Sequence, residues 1–354
     1  MPVCCRFPKN PMITPEQVKP SRPDFFVTGV LNAGAFQYKG KYGWLVRVAE
    51  APIQRDPAVL RVPYTDLSTG QPQMAFRSFR RDDPALDFSD TRIVWYKDKN
   101  VKPWITNISH LRLAWSTDGQ NWTVEDQPCI APADKYEVFG VEDPRVTQMD
   151  GKYLVTYSAI SRHGVTSNLI VTKNWKTFDR KGPLFVPDNK DICIFPEKVN
   201  GKYVAMHRPS QSMLGKPDIW MAFSKDLINW GGHEAIMYTR EGKWDSERIG
   251  CGPAPIRTEK GWLEIYHGSD NKNYYMGAVL LDLDDPRKVI ARSEEPILTP
   301  ELPFEKEGFF ANVVFANGQI NHADGRIWIY YGGADRSMGG CETTVKDLFE
   351  HLGV

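Results

Sequence analysis

Apolar residues in this chain fall in short runs, and Gly, Pro, Asn and Asp cut the runs every few residues. Short apolar or alternating runs bounded by such residues read as strands joined by turns. The 3.6-residue period of an amphipathic helix is almost absent. The one clear helical stretch is Thr343–Leu352, with Val345, Leu348, Phe349 and Leu352 on one face. The pattern predicts an all-β fold ending in a helix.

Within it one turn signal recurs five times, as Tyr38-Lys39-Gly40-Lys41-Tyr42, Met149-Asp150-Gly151-Lys152-Tyr153, Val199-Asn200-Gly201-Lys202-Tyr203, Thr258-Glu259-Lys260-Gly261-Trp262 and Ala323-Asp324-Gly325-Arg326-Ile327. Asn-Gly and Asp-Gly favour the type I′ hairpin turn, which needs positive φ at both central residues. A second repeat pairs Leu113-Ala-Trp-Ser-Thr-Asp-Gly-Gln-Asn-Trp122 with Met221-Ala-Phe-Ser-Lys-Asp-Leu-Ile-Asn-Trp230, with weaker copies at Ile170–Phe178 and Ala278–Pro286. Together they give a unit of strand, Gly turn, strand, loop, strand, polar turn and strand, the make-up of a propeller blade. The expectation is a single five-bladed β-propeller over residues 26–354, with an irregular insertion at 52–106 in the first blade. Residues 1–25, rich in Pro, read as an extended arm that offers a surface to a neighbouring copy in a homo-oligomer.

The turns also predict where polar side chains meet. In a hairpin, the start of the first strand and the end of the second share one end. Eight residues before Gly40 and Gly151 stand Asn32 and Asp143; six or seven after the turn glycines stand Arg47, Tyr157, Arg208, His267 and Tyr331. If the hairpins are equivalent, these side chains face one mouth of the axis, and a cleft there is the default ligand site. Asp143 precedes Pro144, which biases it towards extended backbone; its plain structural reading is an ion-pair corner with Glu142 and Arg145. Arg208, Arg248 and His267 together suit an anion, phosphate or carboxylate, because guanidinium forks match such oxygens and a protonated imidazole donates. No phosphate loop of the GxxxxGK[ST] or GxGxxG kind is present.

The totals exclude several classes. Lys+Arg and Asp+Glu are both 44, with no basic stripe, so neither nucleic acid nor a polybasic membrane contact is expected. The six Cys form no CxxC pair and sit at no metal spacing with His, so neither a disulfide framework nor a metal site is expected. No apolar run has the length of a signal peptide core or a membrane span, and the expected location is cytoplasmic. The 11 Trp, 14 Tyr and 17 Phe suit a β-sheet core, with some free to stack on sugars.

At Gly140-Val-Glu-Asp-Pro-Arg-Val146 the chain resembles glycoside hydrolase family 130, the mannoside phosphorylases, which are five-bladed propellers. Further matches are Phe195-Pro-Glu-Lys198 with Met206-His-Arg-Pro209, Arg248-Ile-Gly-Cys-Gly-Pro-Ala-Pro255, Gly261-Trp-Leu-Glu-Ile-Tyr-His-Gly268, Leu280-Leu-Asp-Leu-Asp-Asp-Pro286 and Tyr330-Tyr-Gly-Gly-Ala-Asp335. The resemblance implies inverting phosphorolysis of a β-mannosidic bond, giving α-D-mannose 1-phosphate, with inorganic phosphate as co-substrate and no cofactor. It implies Asp143 as the acid, its proton passing through a sugar hydroxyl. Arg208, Arg248, His267 and Lys190 match phosphate-binding positions; Asn32, Arg47, Asp335 and Tyr275 match positions that bind or line the sugar. Family hydrolases carry carboxylates where these bases stand, so a β-mannosidase is the second reading, with Glu247 as its base. A non-catalytic sugar-binding propeller is the third. The sequence does not fix the linkage, β-1,2 being placed slightly ahead of β-1,4, and assigns acceptor choice to loops in 52–106 and 301–312.

Overall fold

In the computed structural model, which describes residues 2–210 and 213–354, antiparallel strands make up nearly all of the regular structure. The sheets have eight, five, four and four strands, with smaller ones of three and two. The eight-stranded sheet is two runs that meet at a single parallel bridge, Gly140 to Ser109. One run holds Phe25–Tyr38, Lys41–Pro52, Ile108–Ser116 and Thr123–Val124; the other holds Gly140–Met149, Lys152–Ser161, Gly164–Thr172 and Asp179–Phe185. Gly140, at φ 137°, is needed at that junction: a Cβ there would lie 2.9 Å from the Ser109 nitrogen.

The next sheet runs Asn189–Ile194, Tyr203–Pro209, Ile219–Ser224 and Trp230–Met237. It is followed by Arg248–Cys251, Trp262–Ser269, Tyr274–Leu281 and Val289–Arg292, with Ile256–Arg257 attached. The last has Val314–Asn321, Arg326–Gly333 and Ser337–Thr344, and its outer strand is Cys5–Arg6 from the other end of the chain. The arm is therefore built into the fold. Its Phe7, Met12, Ile13 and Val18 are buried with Trp44, Trp122 and Tyr330.

First strands of successive groups touch one another. Thr147 Oγ1 donates to the Ile194 carbonyl at 2.9 Å, Asn189–Ile194 packs on Arg248–Cys251, and Gln319 Nε2 donates to the Ala254 carbonyl at 3.0 Å. Arg145 Nε reaches past the third group to the Gly252 carbonyl of the fourth at 2.9 Å. The backbone at Gly34 packs on Pro144, and that at Gly318 on Ala33.

Three of the five Gly turns have the expected form. Lys39-Gly40, Asp150-Gly151 and Asn200-Gly201 have φ of 50° and 75°, 51° and 69°, and 51° and 76°. At Lys260-Gly261 and Asp324-Gly325 only the glycine has positive φ. There a threonine hydroxyl (Thr258 to the Gly261 carbonyl, 2.7 Å) and a Gly325-to-His322 backbone bond close the turn instead. Three of the four polar-turn copies share one chemistry, and the fourth, at Asp282, keeps the two backbone N–H bonds without the positive φ. Asp118, Asn174 and Asp226 each accept two backbone N–H groups through Oδ1, and the residue that follows each, Gly119, Trp175 or Leu227, has positive φ. Side-chain carboxylates and amides mimic a backbone turn in this way.

The insertion is more ordered than its charge and Pro content suggest. Val59–Asp66 pairs with Gln73–Arg80, three short strands follow, and Val62, Phe79, Leu86 and Val94 form a small core of their own. The C-terminal helix is Val345–Leu352, capped by Thr344 Oγ1 on the Asp347 N–H and ended by Gly353 at φ 71°. The cysteines are free. No helix of the described residues is long and apolar enough to cross a membrane.

Candidate active site

Three first strands carry the same local irregularity, and each places a polar residue there. The ladders shift register between Leu31 and Gly34, between Glu142 and Arg145, and between Lys190 and Cys193. At the shifts stand Asn32, Asp143 and Asp191, with φ of 52°, 52° and 54°. Asn and Asp tolerate left-handed backbone better than other residues with a Cβ. A bulge bends the strand and re-aims the side chain. The extended conformation expected of Asp143 before Pro144 is thus not adopted; the bulge, not the proline, sets the backbone there.

These side chains open into one cavity of about 390 Å³. Of the residues singled out in the sequence, it is lined by Asn32, Arg47, Asp143, Lys190, Arg208, Arg248 and Asp335. Asp143 is 7% exposed, and its Oδ1 accepts from Asn32 Nδ2 at 2.8 Å and Arg47 Nη1 at 3.0 Å. Arg47 also donates to Glu142 Oε1 at 2.7 Å. Burial alone would raise the Asp143 carboxyl; Arg47, the Asn32 N–H and Lys190 outweigh it and hold it below its ordinary value. The expected ion-pair corner exists, but Arg47 supplies its cation. The Arg145 side chain leads away, to Asp191 Oδ1 at 3.1 Å and the carbonyls of Cys251 and Gly252 at 2.7 and 2.9 Å.

A second charged group adjoins the first. Lys190, Arg208 and Arg248 line the cavity with Asp191, whose Oδ2 lies 3.1 Å from Arg208 Nη2 and 3.3 Å from His267 Nε2. His267 sits one layer back, 1% exposed, behind Asp191 and against the Phe315 ring. Burial, helped by Arg208 and Arg145 and opposed by Asp191, pushes its pKa down to about 4. It is therefore a neutral imidazole near pH 7, and the fall in activity at high pH that an imidazolium would cause is not expected.

The remaining candidates lie elsewhere. Tyr275 OH bonds Asp270 and Asn273 and its ring faces Trp244, outside the cavity lining; its neighbour Tyr274 lines the cavity. Adjacent strand residues face opposite ways, so the expectation for Tyr275 passes to Tyr274. Tyr157 donates to Glu137 and Tyr331 to Glu305, both within sheet cores. Glu247 is turned to Lys216 at 3.1 Å, away from the cavity. Among the described residues one set of metal-type ligands lies close together, Cys193, Cys251 and Glu264 within 4.8 Å. It is buried behind the site, and burial pushes the Glu264 carboxyl well above its ordinary range, towards the neutral acid.

The outer wall had no signal in the sequence beyond its loops. The insertion contributes Arg92, Ile93 and Ile105, and the other predicted loop contributes Phe309 and Phe310. The Arg92 guanidinium lies 5.3 Å from the centre of the Phe310 ring and pairs with Asp90 at 2.8 Å.

Residues 83–353 match the family model of glycoside hydrolase family 130, described as beta-1,4-mannooligosaccharide phosphorylase. A beta-1,2-mannobiose phosphorylase from Listeria innocua is 43% identical over 351 residues, covering 99% of this chain and 98% of that protein. A 1,2-beta-oligomannan phosphorylase from Thermoanaerobacter sp. is 45% identical over 245 residues, 68% of this chain and 80% of its own. The solved structure of the beta-1,2-mannobiose phosphorylase from Listeria innocua, in complex with beta-1,2-mannobiose, superposes with a TM-score of 0.94 at 42% identity over 99% of both chains.

Proposed function

The chain belongs to glycoside hydrolase family 130, and from that premise we propose that it is an inverting β-mannoside phosphorylase that cleaves β-1,2-mannobiose and short manno-oligosaccharides with inorganic phosphate. The observation that carries this reading is the meeting, in one cavity, of the buried Asp143 with the cations Lys190, Arg208 and Arg248. A hydrolase of this fold needs a base for water; the carboxylate nearest the cations, Asp191, is tied to Arg145, Arg208 and His267. The full-length likeness to a β-1,2-mannobiose phosphorylase puts β-1,2 before β-1,4. The five groups of strands are read as five propeller blades of one catalytic domain, a reading supported by the contacts between successive first strands and by the N-terminal strand on the last sheet.

In this mechanism phosphate, held by the guanidinium forks, attacks the anomeric carbon. The C1–O bond to the acceptor breaks as the C1–O–P bond forms, and the departing oxygen takes a proton that originates at Asp143 and passes through a sugar hydroxyl. Asp143 is ionised in the empty site. The arriving phosphate adds negative charge nearby and raises its proton affinity, so the carboxylate takes up a proton from solvent as phosphate binds and gives it up towards the departing oxygen. No cofactor enters the scheme. Incubation with β-1,2-mannobiose, with and without phosphate, tests it: mannose 1-phosphate forms only with phosphate. Free mannose released equally in its absence would instead make the protein a β-mannosidase, and binding without turnover a sugar-binding module.

Asp335 gives a pH prediction for the same site. Burial, with Asp143 and Glu142 adding to it and Arg47 opposing, lifts its carboxyl to about 6. A raised carboxyl is ionised only above that value, and an ionised carboxylate is the better acceptor for a sugar hydroxyl. The KM for mannobiose should rise as pH falls through about 6, by roughly tenfold, the loss of one hydrogen bond to a charged group. Asp335→Asn should raise KM at pH 7.5 and flatten that dependence. A variant that keeps the wild-type acid limb removes Asp335 as its source.

A further inference from the structure

We propose that Asp191 is a positioning residue for the phosphate-binding cations, an internal anion that fixes Arg208 at the cavity wall and so sets the affinity for a tetrahedral dianion. The proposal rests on the phosphorylase reading. Its grounds are geometric. Asp191 stands on the same kind of bulge as Asn32 and Asp143, yet its carboxylate points into cations and not towards the sugar-side cluster. It is 2% exposed and meets three strands: its Oδ1 accepts from Arg145 Nη2 of the preceding group, and its Oδ2 lies 3.1 Å from Arg208 Nη2 of its own sheet and 3.3 Å from the neutral His267 of the next.

The surroundings are built to hold it there. Arg145 is fully buried and clamped by the Cys251 and Gly252 carbonyls, so Asp191 Oδ1 has a fixed anchor. Gly250 leaves the space in which Asp191 and His267 meet: a Cβ there would lie 2.5 Å from Asp191 Oδ2 and closer still to the imidazole. Among the described residues Arg208 Nε has no hydrogen-bond partner, while Asp191 Oδ2 lies 3.1 Å from the Nη2 end of the guanidinium. Without the carboxylate, Arg145 and Arg208 face one another with only repulsion between them. The price is one negative charge near an anion site, so orientation and direct repulsion oppose each other, and the experiment reads which wins.

Phosphate affinity is measured two ways for wild type and Asp191→Asn: as KM for phosphate at saturating mannobiose, and by calorimetric titration of the sugar-free protein with phosphate. Orientation predicts at least a tenfold rise in both constants, kcat at saturating phosphate within about threefold of wild type, and unchanged mannobiose binding. The KM for mannose 1-phosphate in the synthetic direction rises in parallel. Arg145→Lys, which keeps the charge and loses the clamp, should show the same selective rise, and it serves if Asp191→Asn fails to fold. An unchanged or tightened phosphate constant in the folded variant overturns the proposal, as does a fall in kcat alone. Phosphate-independent turnover by the wild type would sink the phosphorylase reading by itself, while the titration still decides the role of Asp191.

Discussion

Asp143→Asn should lower the phosphorolysis rate on β-1,2-mannobiose by about 10²- to 10⁴-fold, the usual contribution of a positioned general acid. The substitution is close to isosteric, so the effect is chemical. The amide oxygen can still accept from Asn32 and Arg47, and Arg47 keeps its 2.7 Å bond to Glu142, so the site should stay folded and mannobiose should still bind. What is lost is the group that holds and returns the proton. The same proton travels in both directions, so synthesis from mannose 1-phosphate should fall by the same factor as phosphorolysis. A substrate with a good leaving group, such as a nitrophenyl β-mannoside, needs little protonation and should lose far less. Near-wild-type turnover of mannobiose by the folded variant would remove Asp143 as the acid.

The bulges explain how much of the site can be read from residues alone. Counting outward from the turn glycines reaches Asn32, Arg47, Asp143 and Arg208, all in the cavity lining, because the hairpins repeat and their ends coincide. The same count reaches Tyr157 and Tyr331, whose rings are taken up by sheet cores; distance from a turn fixes the level along a strand but not the face. That ambiguity also separates Tyr274 from Tyr275. Asp191 escapes the count because it stands farther from its glycine than Asn32 and Asp143 do from theirs. A signal for it was present, an Asn or Asp eight to ten residues before the turn glycine in each of three first strands, but it becomes legible only when φ shows that all three sit on bulges. Arg92 and Phe310 had no repeat to betray them. They come from an insertion and a loop that the hairpin pattern does not cover.

The second large effect belongs to the cations. Replacing Arg208 and Arg248 together by Ala should cut kcat/KM for phosphate by about 10⁴-fold or more, taking roughly 10² for each donor aimed at developing or resident charge. Each arginine makes hydrogen bonds that are charge-assisted at both ends, and each acts inside a cavity where little water competes. The two losses should not simply add. In the Arg208→Ala protein, Asp191 keeps Arg145 and the His267 contact but loses the cation beside its Oδ2, so its charge, at the cavity lining, opposes phosphate directly. Arg208→Ala should therefore cost more than Arg248→Ala, whose guanidinium has no carboxylate partner within 4 Å among the described residues and lies 5.8 Å from the Tyr274 ring. Adding Asp191→Asn to Arg208→Ala should then recover part of the loss, the opposite sign from its effect in the wild type. That reversal is the feature a general loosening of the site would not produce, because a second destabilising change would deepen the defect. Phosphate kinetics on the four proteins of this cycle decide it; equal KM for phosphate in wild type and the double Arg variant would mean that the anion binds elsewhere.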